Sequence, residues 1–277
     1  MLADASEYSY ALVYAGPGAS TSFIDFTVSM LEQHLASTYI VKRVYADDLV
    51  DSSWIPNTSL FVLPGGRDLP YVKDLIGLPN ENLIEFVNGG GKFIGFCAGS
   101  YYASGRCEFE VGDAKLEVIG NRPLKFFPGT CRGATFKGFD YTSEAGARAA
   151  YVTLSHSGDM LPIYYNGGGA FVDAGKYPEV ETLATYNGLN NTTPNAAVVL
   201  CKVGKGAALL SAVHPEYIPS GLYPQLDVPL ILNRNKIYLT LKTWLLKLGL
   251  EHSGNAMVME LNPTVTSRNT PEVLVTV

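Results

Sequence analysis

The run Lys92-Phe93-Ile94-Gly95-Phe96 passes without a break into Cys97-Ala98-Gly99, and no other stretch limits the fold as strongly. A short apolar segment without polar alternation fits a strand covered on both faces, as in a parallel sheet between helices. Two earlier runs share this character. Tyr10-Ala11-Leu12-Val13-Tyr14 is stopped by Gly16-Pro17-Gly18, and Leu60-Phe61-Val62-Leu63 by Pro64-Gly65-Gly66. Tyr39-Ile40-Val41 starts a further strand. A helix is predicted from Ser20 or Thr21, with Phe23, Phe26, Met30 and Leu31 at near-helical spacing, and another over Leu83 to Val87, ending in Gly89-Gly90-Gly91. Strands alternating with helices imply an α/β fold with a mostly parallel central sheet.

From about Cys107 to Tyr186 the texture changes. Leu116 to Ile119, Tyr151 to Leu154, Ile163 to Tyr165 and Ala170 to Val172 are short β-like pieces between turns. They predict an antiparallel β elaboration on one side of the sheet. Ala196 to Val203 and Ala207 to Val213 read as two strands joined by Gly204-Lys205-Gly206. An amphipathic helix over Arg234 to Leu248, with Ile237, Leu241, Trp244, Leu245 and Leu248 on one face, closes the domain. The expected division is one domain over 1–252 and a linker-like tail over 253–277, where Pro263, Thr264, Thr266, Ser267, Thr270 and Pro271 gather.

Composition narrows the function. A 277-residue chain with 47% hydrophobic and 17% charged residues can bury one large core. Net charge is −6, without a Lys or Arg cluster, so the concentrated positive field that nucleic-acid backbones require is missing. No run approaches the ~18 apolar residues of a membrane span. Asp4 and Glu7 stand where an export signal carries positive charge. Cys97, Cys107, Cys131 and Cys201 form no C-x-x-C pair and have no histidine at ligand spacing, so neither metal nor cofactor is expected. Free thiols in a reducing compartment are, and hence a cytoplasmic protein, in which the acceptor-type triplet Asn191-Thr192-Thr193 is idle.

Gly95-Phe96-Cys97-Ala98-Gly99 reads as a nucleophile elbow with cysteine in place of serine. A sharp strand-to-helix turn strains its central residue, and small flanking residues relieve the crowding. The cysteine then sits at a helix N-terminus, where the dipole favours thiolate and the Ala98 N–H can meet an oxyanion. His214-Pro215-Glu216 follows the last strand, in the order Cys…His…Glu. If that strand neighbours the elbow strand, His214 reaches the sulfur and Glu216 orients the ring. Gly65 and Gly66, ending the third strand, can turn backbone N–H groups toward the same oxyanion.

In this order the three motifs resemble the class I glutamine amidotransferase pattern, which implies a flavodoxin-like three-layer sandwich and a cysteine that forms a glutamyl thioester and releases ammonia. A narrower resemblance runs from about Tyr10 to Leu250. Val13-Tyr14-Ala15-Gly16-Pro17-Gly18, Gly65-Gly66-Arg67-Asp68-Leu69-Pro70-Tyr71, Phe126-Phe127-Pro128-Gly129-Thr130, Ser143 to Ala149, Tyr165-Asn166-Gly167-Gly168 and Ala196 to Cys201 are similar to the N-terminal region of fungal biotin–protein ligases. That family implies a regulatory or substrate-handling module whose partner is a ligase catalytic domain in cis or in trans, with a small amide or a biotin-pathway ligand. The glycine- and arginine-rich adenylate loop of the catalytic module has no counterpart here, so this chain is not expected to transfer biotin alone. Two alternatives stand beside it: a free-standing cysteine amidohydrolase or glutaminase, and an interaction domain that keeps the triad as a relic.

Other residues have two readings each. Arg67 and Asp68 line the pocket mouth and read a polar substrate, or they are a surface ion pair or turn residues. Glu144 and Arg148, four apart, make a helical ion pair, with a pocket role left open by the resemblance. Asn166 places an amide near the nucleophile or shapes a turn. Arg132 is an anion contact candidate, Gly16-Pro17-Gly18 a turn bordering the pocket, and His34, His156 and His252 surface residues.

Overall fold

Five strands, β1 (Ser9–Tyr14), β2 (Tyr39–Val44), β3 (Thr58–Leu63), β4 (Lys92–Phe96) and β13 (Gly206–Ser211), run parallel at one end of a single sheet. Their order is β2–β1–β3–β4–β13. In the computed structural model residues 9–190, 195–221 and 223–250 are described. Most of the N-terminal stretch read for an export signal, the Asn191-Thr192-Thr193 triplet, His252 and the tail from Ser253 lie outside them. Among the described residues no helix is long and apolar enough to cross a membrane.

Leu60, Phe61, Val62 and Leu63 of β3 and Phe93, Ile94 and Phe96 of β4 are fully buried, as strands covered on both faces require. α1 (Thr21–Leu35) carries the chain from β1 to β2, while α2 (Asp68–Asp74) and α3 (Leu78–Gly89) carry it from β3 to β4, in the opposite direction across the sheet. Right-handed crossovers put these two connections on opposite faces, which makes the three layers. The reversal falls between β1 and β3. In open α/β sheets, the carboxyl ends beside such a reversal are where ligands bind.

β12 (Ala196–Val203) pairs antiparallel with β13 through a turn in which Gly204 takes φ +56°, and the sheet grows outward from there. One branch continues through β10 (Ala170–Phe171), β7 (Phe127–Gly133), β5 (Ser104–Phe109) and β6 (Val118–Asn121). The other continues through β11 (Val180–Tyr186), β8 (Arg148–Leu154) and β9 (Met160–Tyr165). The elaboration therefore extends the sheet itself, and within it β5 and β7 are parallel.

In α1 the buried row is Ile24, Thr27, Met30, Leu31 and Leu35, while Phe23 and Phe26 are half-buried and turn toward the rings of His214 and Tyr217. α6 (Arg234–Lys247) buries Leu241, Trp244 and Leu245, followed by Leu248; Ile237 is half-buried. His34 is not a surface residue. It lies 1% exposed beneath α6, its ring stacked on Tyr238 with centroids 4.1 Å apart, so an aromatic partner on a distant helix decided what local sequence did not show. His156 is exposed. The short helices α2, α4 (Ala98–Tyr102) and α5 (Pro224–Leu232) complete the fold.

Candidate active site

β4 ends at Phe96 and α4 begins at Ala98, so Cys97 makes the turn alone, at φ 44° and ψ −103°. Residues with a side chain rarely adopt that backbone. The flanking glycines make room for it: a Cβ on Gly95 would lie 2.7 Å from Gly99 O, and one on Gly99 would lie 2.1 Å from Leu63 O. The Cys97 N–H donates to Ser211 O at 2.8 Å, extending the β4–β13 pairing, and Ser100 Oγ donates to Cys97 O at 2.7 Å. The helix that follows has only five residues, so its dipole adds less than a long helix would.

β13 stops at Ser211, and the next residues carry the chain across to His214. There the His214 N–H donates to Tyr164 O at 2.8 Å, so the end of β9 fixes the backbone of this histidine. Its ring is buried, with Nδ1 2.7 Å from Glu216 Oε1 and the Phe23 ring centroid 4.1 Å away. Burial works against a charged ring. The Glu216 carboxylate and the hydrogen bond with Cys97 outweigh it and hold the His214 pKa above the ordinary histidine range. With Nδ1 turned to Glu216, Nε2 is the nitrogen left for the sulfur. The second carboxylate oxygen, Oε2, meets no hydrogen-bond donor among the described residues, and Glu216 borders a cavity of about 80 Å³ beneath α1 and α6.

Gly65 and Gly66 hold the space between these groups. A Cβ on Gly65 would stand 2.5 Å from His214 Cε1, so the ring occupies the place of a side chain. Gly65 O accepts the Ser20 N–H at 3.0 Å and Gly18 O accepts the Arg67 N–H at 2.8 Å. In such an antiparallel bridge the middle residue points its own N–H away from the partner. The partner loop follows β1, so the Gly66 N–H points to the other flank of β3, where β4 and Cys97 stand. Gly16-Pro17-Gly18 thus braces the Pro64-Gly65-Gly66 turn. The first N–H groups of a helix have no partner within it, which leaves the Ala98 N–H available as well.

The cleft at Cys97 has a volume of about 360 Å³ and is bordered by Gly66, Arg67, Asp68, Ala98 and Asn166 among others. Asn166 meets the thiol through its backbone: its O lies 3.7 Å from Cys97 Sγ, while its Oδ1 is buried without a hydrogen-bond partner among the described residues. Arg67 is exposed, with its guanidinium 4.5 Å from the Tyr141 ring centroid. Asp68 is buried and is no surface residue. It accepts two hydrogen bonds from Arg122, from Nε at 2.7 Å and Nη2 at 3.1 Å. Glu144 and Arg148 do not form a helical pair, because a loop and β8 occupy those positions. Glu144 accepts the Tyr164 hydroxyl at 2.7 Å and Arg148 donates to Lys137 O, so Glu144 reaches His214 only through Tyr164. Arg132 is exposed and paired with Glu108. Sequence reasoning missed Arg122, Lys73, Lys115 and the aromatic wall of Phe109, Phe139 and Tyr141. None sits in a recognisable motif, and Arg122 is 54 residues from the carboxylate it pairs with. The four cysteines are free, and among the described residues no group of three His, Cys, Asp or Glu could hold a metal.

A thiol, an imidazole and a carboxylate in this order, with backbone N–H groups nearby, have the chemistry for acyl transfer through a thioester. The family described as "Biotin-protein ligase, N terminal" matches residues 9–267. A biotin–protein ligase of Schizosaccharomyces pombe is 38% identical over 240 residues, which are 86% of this chain and 37% of that ligase. The chain thus spans little more than a third of that relative's length. An uncharacterized protein of Chlamydia muridarum is 33% identical over 75% of this chain and 80% of its own. Among solved structures, a glutamine amidotransferase overlays with a TM-score of 0.51 at 15% identity, covering 82% of this chain and 98% of that one. PurLQS from Thermotoga maritima overlays with a TM-score of 0.52 at 16% identity, covering 86% and 99%. At such identity these likenesses concern the fold alone, a class I glutamine amidotransferase-like fold. By sequence, the chain belongs to the biotin–protein ligase N-terminal family.

Proposed function

We propose that this chain is an amide-handling module of a cytoplasmic biotin–protein ligase system, regulatory or substrate-handling toward a ligase catalytic domain in cis or in trans. The observation that carries the chemistry is the buried His214–Glu216 contact at 2.7 Å beside a cysteine on a strained strand-to-helix turn. The Cys97 thiol gives its proton to His214 Nε2 as Sγ attacks an amide carbonyl carbon, and the carbonyl oxygen takes the electron pair, facing the N–H groups of Gly66 and Ala98. His214 gives its Nε2 proton to the leaving nitrogen as the C–N bond breaks, releasing ammonia or an amine and leaving a thioester. Water then adds to the thioester carbon and loses a proton to His214, and the C–S bond breaks to restore the thiolate. Glu216 keeps the ring in one orientation throughout.

The test is biotin transfer by a ligase catalytic domain, measured alone, with this chain added, and with this chain fused ahead of it. A coupling of ordinary size changes the rate about fivefold or more, and Cys97→Ala removes the change. No change in either arrangement contradicts the ligase role. The second reading, a free-standing amidohydrolase, draws on the Chlamydia muridarum relative, of which this chain covers 80%. Amide hydrolysis without any effect on a ligase would favour it.

A further inference from the structure

Three cations border the cleft that holds Cys97: Arg67, Lys73 and Lys115. Among the described residues none of them pairs with a carboxylate. Of the two acids on the same walls, one is neutralised by a cation and the other, Glu117, is exposed and offsets a single positive charge. Asp68 is held by Nε and Nη2 of the buried Arg122 guanidinium, and Glu117 Oε2 accepts the Gly112 N–H at 2.6 Å. On a chain of formal charge −6, this cleft is locally positive. Such a field raises the local concentration of anions.

The remaining wall is aromatic. Phe109 and Phe139 meet edge-to-face with centroids 5.2 Å apart, Phe139 and Tyr141 at 4.7 Å, and Tyr101 and Phe109 at 5.7 Å. Arg67 lies over the Tyr141 ring, so its planar fork is already oriented at the edge of that wall. A volume of about 360 Å³ is within the range of sites for ligands larger than a single amino-acid side chain. Glutamine fits this chemistry poorly. Its α-ammonium group would enter a cleft bordered by these three cations, where Asp68 is neutralised by Arg122 and Glu117 is the carboxylate left to meet it.

We infer that the cleft takes an anionic amide with an aromatic or extended apolar body, whose far carboxylate is read by Arg67 and Lys115, rather than free glutamine. The amide meets Cys97, the body lies along Phe109, Phe139 and Tyr141, and the anion lies against the cations. This rests on Cys97 being the residue that meets the amide, but binding does not require the thiol to react.

The Cys97→Ala chain is therefore titrated calorimetrically with 4-carbamoylphenylacetate, its methyl ester and glutamine. The acid is expected to bind at least about tenfold more tightly than the ester or glutamine, the size of one charge-assisted contact. Lys115→Ala and Arg67→Gln, each placed in the Cys97→Ala chain, are expected to weaken the acid about tenfold and leave the ester unchanged. Lys115 is exposed and outside the strands and helices, so its variant tests the charge even if Arg67→Gln perturbs the turn at Gly66. An ester that binds as well as the acid, glutamine binding more tightly than both, or no binding of the acid at millimolar concentration overturns the inference. A chain that binds the acid yet cleaves no amide refutes the chemistry at Cys97 and leaves the ligand class standing.

Discussion

Replacing Cys97 with alanine is expected to lower kcat for amide cleavage roughly a million-fold, and replacing His214 with alanine to lower it nearly as far. Members of a nucleophile–base pair fail together, so the double variant should be no worse than either single one. The geometry supports that coupling. His214 has one nitrogen committed to Glu216 at 2.7 Å, which leaves its other for the thiol, and both backbones are held through the ends of β13 and β9. Glu216→Gln keeps the shape but permits the wrong tautomer, and a loss of about 10⁴ is expected. Steady-state cleavage of 4-carbamoylphenylacetate, followed by ammonia release, reads all four variants. Cys97→Ala retaining even about one hundredth of the activity would show that the sulfur forms no thioester.

Asp68→Ala is expected to destabilise the fold by about 3–5 kcal/mol, because it strands a buried guanidinium. The side chains of Arg122 and Asp68 are 4% and 7% exposed, and the pair is joined by two hydrogen bonds. The loss should come from the unpaired charge rather than from the missing carboxylate. The double variant Asp68→Ala with Arg122→Met is therefore expected to recover most of it, since an apolar side chain can fill the arginine's place. Urea unfolding of the two chains measures the difference. A single variant that costs less than about 1 kcal/mol, or a double variant no more stable than the single, would show that this pair does not hold α2 against β6 and β7.

How much of this was legible in the sequence follows from where each interaction lies along the chain. Lys92 to Phe96 ending at Cys97 could be read because a doubly covered strand needs an unbroken apolar run, and a tight turn beside it needs small residues. The same holds for Leu60 to Leu63 and its two glycines. The structure adds a reason for each: Gly65 yields its side-chain space to His214, and Gly99 yields its own to Leu63 O. His34 was misread because its stacking partner, Tyr238, stands on α6. Glu144 and Arg148 have helical spacing, yet Glu144 lies in a loop where it accepts the Tyr164 hydroxyl, and β8 takes Arg148 into the sheet, so tertiary pairing overrode the local pattern. The aromatic wall escaped for a similar reason. Phe139 and Tyr141 lie in an irregular segment, where neither period of two nor period of 3.6 marks a buried side chain. Arg67 could be placed near the pocket from Gly66 alone, whereas its contact with Tyr141 spans 74 residues and no local rule reaches that far.

The rate at which iodoacetamide alkylates Cys97 at pH 7, with and without His214, tests most directly whether thiol, imidazole and carboxylate act as one unit. The other thiols stay out of the measurement: burial pushes Cys201 up to about 12 and holds Cys107 and Cys131 well above the ordinary thiol range, so they remain protonated. The intact protein is expected to react at least about tenfold faster than His214→Ala, because an imidazole beside the sulfur takes up its proton as the S–C bond forms, and Glu216→Gln is expected to fall between them. Equal rates in all three proteins would contradict the account, leaving Cys97 as a cysteine on a strained turn with no base to serve it.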